Sequence, residues 1–320
     1  MRVLLSCLLL WPLAASPQVK FTQAPDRIEV EIDGQPFTTL YMGPATTKPY
    51  LHPLRSASGK AVTRYYPMEE REGERRDHPH QRGLWFTHGD VNGYDFWANE
   101  VSQKGPNKGK VVLNKVLAVR SGSKQGVLEV SFDWLDPAGK PILNERRTMV
   151  FHSDPRLRMV DFDLRLTALQ QVKFGDTKEG TFALRLAASL EEPARGAPPT
   201  PARTGKMVNA EGLEGERQVW GKRSAWVDYF GEVEGEKLGV AIFDHPGNPK
   251  HPTYWHARGY GLFAANVFGE HDFLADKTRD GSITLPAKGA LRFRYRVVIH
   301  PGDYQSAGIA ELYKRYAASR

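Results

Sequence analysis

The stretch DHPHQRGLWFTHGDVNGYDFW (77–97) interleaves three histidines with aspartates and an arginine among aromatic residues. Imidazoles titrate near neutral pH, so such a cluster suits proton transfer or metal ligation. Pro79 disfavours helix at His78, and DHPH reads as extended or turned. On a strand, His78 and His80 would share one face, because side chains alternate. GLWFT then reads as a buried strand and HGDVNG as a turn holding His88, Asp90 and Asn92. Three readings stay open. The histidines pin loops by hydrogen bonds; or His78, His80 and His88 ligate a divalent metal; or His80 and His88 are acid–base groups for a sugar-like substrate, with Asp90 orienting one imidazole. A His-x-His pair with a third ligand is a metal pattern, but the spacing matches neither a helical His-Glu-x-x-His nor a Cys–His finger. No cofactor is expected on this account, with a divalent ion as the alternative.

Further concentrations could supply the rest of a site. YMGPATTKPYLHPLRSASGKAVTRYYP (41–67) carries Lys48, His52, Arg55 and Arg64 between prolines, which suggests an edge strand or shaped loop. It is either a solvated cationic edge or a rim that binds substrate through Lys48, His52 and Arg55, joined by Arg82. FGDTKEGTFALRLA (174–187) offers Glu179 as a carboxylate base and Arg185 on an apolar strand, where a charge needs a partner. Arg185 either binds substrate or pairs structurally with Glu179. In FDHPGNPKHPTYWHARGYGLFAANVFG (243–269), Tyr254 and His256 sit among aromatics and turn formers. Aromatic faces beside hydrogen-bonding groups suit a pyranose, so both are assigned to substrate binding.

These residues must be held by sheets. RIEVEID, KVVLNKVLAVRSG, GVLEVSFDWLD, RRTMVFHSD, LRMVDFDLRLTAL, TFALRLAASL, LGVAIFD and LRFRYRVVIH are short runs rich in Val, Phe, Tyr and Leu, separated by turn formers. Several alternate apolar with polar, which implies antiparallel sheets with one wetted face. Helical period appears at AGIAELYKRYAAS, where Ile309, Leu312, Tyr313 and Tyr316 share a face. No βαβ rhythm is present. Residues 191–217, rich in Pro, Gly and charge, read as a long surface excursion between strands. The expected fold is all-β: one large antiparallel β-sandwich with a short C-terminal helix.

The 320 residues are 40% hydrophobic and 25% charged, enough for one large core. MRVLLSCLLLWPLAAS has one positive charge, a short apolar run and small residues, the pattern of a secretory signal. Residues 1–17 are therefore expected to be a signal peptide and 18–320 a single exported domain, periplasmic or secreted. The one cysteine, Cys7, lies in that leader, so the remainder relies on its core without disulfides. No later apolar run reaches membrane-spanning length. The formal charge of +7 is scattered, which leaves acidic glycans as partners and argues against nucleic acid.

The stretches KPYLHPLRSASGKAVTRYYPM, DHPHQRGLWFTHGDVNGYDFW, DTKEGTF, AWVDYFG and GLFAANVFG, spread over residues 28–318, resemble a family of exported bacterial proteins. That family is a domain of unknown function formerly labelled "methane oxygenase PmoA". The methane monooxygenase which the label evokes is a membrane assembly, and that activity is not expected of this chain. The strand pattern and length also look like the galactose-mutarotase-like supersandwich, by architecture only. Its members include sugar epimerases, polysaccharide lyases and glycosidases. The resemblance thus implies a carbohydrate-active protein, an enzyme of epimerase, lyase or hydrolase type using His/Glu acid–base chemistry on a sugar or other small polar substrate. The alternatives are a non-catalytic glycan- or surface-binding module and a divalent-metal enzyme.

Overall fold

The alternating runs become two eight-stranded antiparallel sheets in the computed structural model, which describes residues 18–194 and 202–319. In spatial order the first sheet is β1 (Val19–Gln23), β2 (Arg27–Ile32), β3 (Gln35–Tyr41), β4 (Tyr50–His52), β5 (Leu84–His88), β11 (Gly180–Arg185), β16 (Leu262–Asn266) and β15 (Tyr254–Ala257). The second is β12 (Lys206–Asn209), β13 (Trp226–Val233), β14 (Glu236–Asp244), β18 (Ala290–Pro301), β9 (Arg158–Ala168), β8 (Pro141–His152), β7 (Gln125–Leu135) and β6 (Lys110–Arg120). A small ribbon pairs β10 (Val172–Phe174) with β17 (Ile283–Leu285). The all-β, antiparallel sandwich expected from the alternation is what forms.

The two sheets face each other across one apolar core. Phe182 of β11 stacks on Tyr295 of β18 at 4.5 Å and meets Phe162 of β9 edge-on at 4.9 Å. Phe86 of β5 approaches Phe293 of β18 at 5.7 Å. Phe182 is wholly buried, and truncating it to alanine would cost about 3–5 kcal/mol through lost transfer energy and the cavity left behind. Side chains alternate along each strand, so the residues next to these point the other way. Trp85, Ala183, Leu262 and Ala264 pack with Tyr50 and Trp97 on the outer face of the first sheet. That outer face is where the loops assemble.

After the helical turns α1 (Glu216–Val219) and α2 (Glu270–Phe273), the C-terminal helix α3 (Ile309–Ala317) forms as its period predicts. Ile309, Leu312 and Tyr316 are buried against Phe243 and Val298 of the second sheet, and Tyr313 meets Phe243 edge-on at 5.6 Å. Four local expectations are corrected. His88 is the last residue of β5, not part of the turn. The 48–55 segment is no sheet edge: β4 pairs with both β3 and β5, and Pro49 and Pro53 flank it without interrupting it. TFALRLAASL is strand only to Arg185 and then a 3-10 turn at Ala188–Leu190. Within 191–217 the structure places strand β12 and the start of the helical turn α1 (Glu216–Val219), while 195–201 lie outside the described residues.

Candidate functional site

A cleft of about 620 Å³ opens on the outer side of the first sheet, within the size range of small-molecule sites. Three separate stretches meet there: His78, His80, Gln81, Asp95 and Trp97 from the long excursion around β5; Thr177, Lys178 and Glu179 before β11; and His256, Arg258 and Tyr260 at the end of β15. Of the regions singled out in the sequence, 77–97, 178–179 and 256–258 therefore converge.

The loop carrying His78 and His80 has no strand pairing to hold it. His78 has φ of 45°, so the shared-face argument for His78 and His80 does not apply. Buried arginines hold the loop instead. Arg64, 1% exposed, donates from Nη1 to the carbonyls of Arg75 (3.2 Å) and Asp77 (3.0 Å) and to the Asp77 carboxylate (2.6 Å). Its Nη2 donates to the carbonyls of His78 (3.1 Å) and Gln81 (3.4 Å). Arg185 points to the outer face of β11, where it donates to the Gln81 amide oxygen and to Asp77 (3.1 Å) and lies 4.7 Å over the Tyr260 ring. Tyr260 in turn stacks on His78 at 5.4 Å. Burying these guanidiniums is tolerable only because each is paired and hydrogen-bonded.

His80 is buried and its Nδ1 lies 2.9 Å from the side-chain nitrogen of Gln103. The Gln103 oxygen accepts the Glu100 N–H (3.3 Å), so its NH2 faces the imidazole and donates to it. His80 Nδ1 is thus the bare nitrogen and Nε2 carries the hydrogen. Burial, reinforced by the Lys48 and His78 charges, holds the His80 pKa down to about 2, so the ring is neutral at any physiological pH. His256 has the opposite arrangement. Its Nδ1–H donates to the Lys178 carbonyl at 2.9 Å, which leaves Nε2 as the acceptor. Burial lowers its pKa to about 4, although the Lys178 carbonyl pulls the other way. The cleft is therefore lined by one imidazole that donates and one that accepts.

Glu179 is 40% exposed and stands with its carboxylate 3.5 Å from Lys178 Nζ. Its backbone is clamped from several sides. The Glu179 carbonyl accepts the Gly89 N–H at 2.7 Å, and a Cβ on Gly89 would come within 2.9 Å of the Glu179 Cβ, so that close approach requires glycine. Asn266 donates to the Thr177 carbonyl at 2.9 Å, and Asp272 accepts the Lys178 N–H at 3.0 Å. Arg185 makes no pair with Glu179; Gln81, Asp77 and, at 3.6 Å, Glu191 take that role.

Several expected site residues lie elsewhere. His88 shares the parity of Phe86 and so faces the core, packed on Phe268 at 4.6 Å, with its Nε2–H donated to the Gly175 carbonyl at 2.8 Å. Burial lowers its pKa to about 4. Asp90 orients no imidazole; it caps its own turn by accepting the Gly93 N–H at 2.8 Å. Lys48 is fully buried, donating to the Trp97 carbonyl (2.7 Å) and Asn99 (2.8 Å), with Glu100 at 3.7 Å. Burial brings its pKa down to about 8 against the pull of Glu100. It supports the cleft wall from behind and is not open to substrate. His52 is buried edge-on against Tyr65, its pKa lowered by burial to about 3. Arg55 bridges Ala61 outside the cleft. Arg82 is committed to a two-pronged pair with Glu100 (3.0 and 2.7 Å). Tyr254 stacks on Phe273 at 5.4 Å, beneath Arg223.

Sequence reasoning missed Tyr260, Lys178 as a lining group, and Gln103, whose role depends on a contact 23 positions from its partner. A metal centre on His78, His80 and His88 does not fit the geometry: the first two line the cleft and the third faces the core. Among the described residues no three His, Cys, Asp or Glu side chains converge as metal ligands. Among the same residues no helix is long and apolar enough to cross a membrane.

Residues 27–314 match the model of a family described as "Family of unknown function (DUF6807)", and the chain belongs to that family. No curated protein matches it. Among solved structures it is similar to a galactose mutarotase-like protein from Clostridium acetobutylicum, at 11% identity and a TM-score of 0.44, over 88% of this chain and 98% of that one. It is also similar to a galactose 1-epimerase from Lactobacillus acidophilus, at 9% identity and a TM-score of 0.38, over 89% of this chain and 98% of that one. A third similarity is to an α-galactosidase from Lactobacillus brevis, at 10% identity and a TM-score of 0.39, over 93% of this chain and 42% of that one. The chain spans less than half the length of that third protein.

Proposed function

We propose that this member of the DUF6807 family is a carbohydrate-active enzyme whose cleft performs proton transfer on a sugar. One observation carries the reading: the cleft is lined by a neutral hydrogen-bond donor, His80 Nε2–H, and a neutral acceptor, His256 Nε2, beside a carboxylate and an ammonium. A polyhydroxylated ring presents donors and acceptors at close spacing and is the ligand such a lining matches. Tyr260 and His78 supply an aromatic wall for its CH face.

The roles follow from the chemistry of each group. A His80 ring with a pKa near 2 is too weak a base to shuttle protons at neutral pH, so it acts as a fixed donor to an oxygen on which charge develops. Glu179, the exposed carboxylate, takes the proton from a substrate O–H or acidified C–H. The same carboxyl then returns it to the substrate, so the cycle needs no oxidant and no external base. His256 accepts from a neighbouring hydroxyl and orients the ring, and the Lys178 ammonium, 3.5 Å from the Glu179 carboxylate, holds that side chain in place beside the substrate. The methane-oxygenase label forms no part of this reading. Export directed by residues 1–17 does, and places the cleft where glycans are met outside the cytoplasm.

The test is a panel of monosaccharides and glycosides, with binding followed by calorimetry and conversion followed by proton NMR in heavy water. Glu179→Gln should keep binding and lose turnover by about 10²-fold or more, the usual contribution of a positioned base. A panel that binds without any conversion or solvent exchange would move the protein to the glycan-binding module. Unaltered turnover in Glu179→Gln would remove the carboxylate from the mechanism.

A further inference from the structure

Tyr260 lines two cavities. One is the cleft; the other, of about 730 Å³, is bordered by Arg75, Arg203, Arg217, Glu192 and Glu216. Each cavity alone has the size of a small-ligand site. Among the described residues, Tyr260 is the lining residue that the two share.

The charges of the second cavity are unevenly consumed. Arg75 and Arg203 both pair through Nε with the buried carboxylate of Glu191, at 3.2 and 3.1 Å, and Arg185 reaches the same carboxylate at 3.6 Å. Three guanidiniums thus share one carboxylate. Among the described residues, the terminal nitrogens of Arg75 and Arg203 have no hydrogen-bond acceptor, and Arg217 has no ion-pair partner. The acids are already engaged. Glu216 accepts the Gly259 N–H at 2.6 Å and pairs with Arg258 at 2.8 Å. Glu192 accepts the Glu216 N–H at 3.2 Å. Among the described residues, following the arginine–carboxylate pairs outward to Arg64 and Asp77, six guanidiniums (Arg64, Arg75, Arg185, Arg203, Arg217, Arg258) stand with four carboxylates (Asp77, Glu191, Glu192, Glu216). The surplus is positive and its free donors are arginine forks, which match a carboxylate in two-pronged geometry. The chain as a whole carries a formal charge of +7, which favours the approach of an anion.

We infer that the substrate is an acidic glycan: the sugar held in the cleft continues past Tyr260 into the second cavity as a unit whose carboxylate is gripped by Arg75, Arg203 and Arg217. This rests on the carbohydrate reading of the cleft and adds to it the substrate's charge and minimum length.

The experiment compares calorimetric binding of three ligands to the full chain: a disaccharide of two uronic acid units, the same disaccharide with its carboxylates reduced to alcohols, and a sulfated counterpart. The acidic disaccharide should bind at least about tenfold more tightly than the reduced one, as charge-assisted contacts would give. The gap should shrink in high salt. It should also narrow in Arg217→Gln, which disturbs no buried pair, and in Arg75→Gln, while the reduced disaccharide binds both variants as it binds wild type. Equal affinity for acidic and reduced ligands would overturn the inference while leaving the cleft's sugar site standing. So would a gap that survives both variants, and tighter binding of the sulfated ligand would overturn the carboxylate assignment. If none of the three bound, the carbohydrate reading itself would fall.

Discussion

Buried histidines do opposite work in the two sheets. At the cleft on the first sheet, His80 and His256 face an amide and a carbonyl, and each is held neutral. In the second sheet, His300 of β18 faces the buried carboxylate of Asp228 on β13 at 2.7 Å. Burial works against a charged His300, yet Asp228 overrides it and raises the pKa. Both His300 nitrogens meet acceptors, Asp228 and the Pro301 carbonyl (3.2 Å), so both carry hydrogens. Burial alone therefore does not decide what a histidine does. A carboxylate partner makes it half of a structural ion pair; an amide or carbonyl leaves it a neutral tool with one fixed donor and one fixed acceptor.

The contrast is broken most severely by removing the carboxylate. Asp228→Ala breaks this buried pair, leaving the His300 imidazole without its partner, and should lower unfolding stability by about 3–5 kcal/mol in a denaturant titration. Sugar binding in the cleft should persist wherever the variant remains folded. Loss of binding in a folded Asp228→Ala would mean that the two regions are coupled.

The pH dependence of stability sharpens the contrast, because the two groups contribute with opposite sign. His52, His80, His88 and His256 have folded pKa values depressed to about 3, 2, 4 and 4. Unfolding frees them to bind protons below their ordinary pKa of about 6.5, so stability should fall as pH drops from there toward about 4. His300 is raised, so its contribution is complete below about 6.5 and is lost as pH rises through its folded pKa. Denaturant midpoints across this range should show His52→Phe flattening the acid limb and Asp228→Asn flattening the alkaline one. A wild-type protein more stable in acid than at neutral pH would contradict the neutral assignment of the depressed group.

What the sequence revealed tracks how local the physics is. Strand alternation and the period of α3 are local, and the sandwich and helix follow them. The clustering of histidines with Glu179 also marked stretches that do meet. The misassignments arose where burial depends on distant partners. In the sequence His88 reads as a turn residue, but β5 extends one position further, and parity with Phe86 sends it into the core. Lys48 and Arg82 look like substrate-binding cations until Glu100, 52 and 18 positions away, is brought against them. No spacing rule links Gln103 to His80.

Gln103 gives the smallest of these effects and the most specific. Gln103→Leu removes the donor that holds His80 in its Nε2–H form, a hydrogen bond of about 0.5–1.5 kcal/mol. Turnover should fall about two- to tenfold by steady-state kinetics, with sugar affinity nearly unchanged. Gln103→Glu should be more damaging, since a carboxylate there draws the hydrogen to Nδ1 and raises the His80 pKa, which adds an inflection to the pH–rate profile. Identical profiles in wild type and Gln103→Glu would show that Gln103 does not set the His80 tautomer.

The central claim is that the cleft works through neutral imidazoles of opposite tautomer, and long-range nitrogen–proton NMR of the histidine rings tests it most directly. Between pH 5 and 8, His80 should show a bare Nδ1 and a protonated Nε2, and His256 the reverse, neither titrating. At the acid end of the same series His300 should carry hydrogens on both nitrogens. Titration of His80 or His256 near their ordinary pKa of about 6.5 would contradict the account, as would the same tautomer on both.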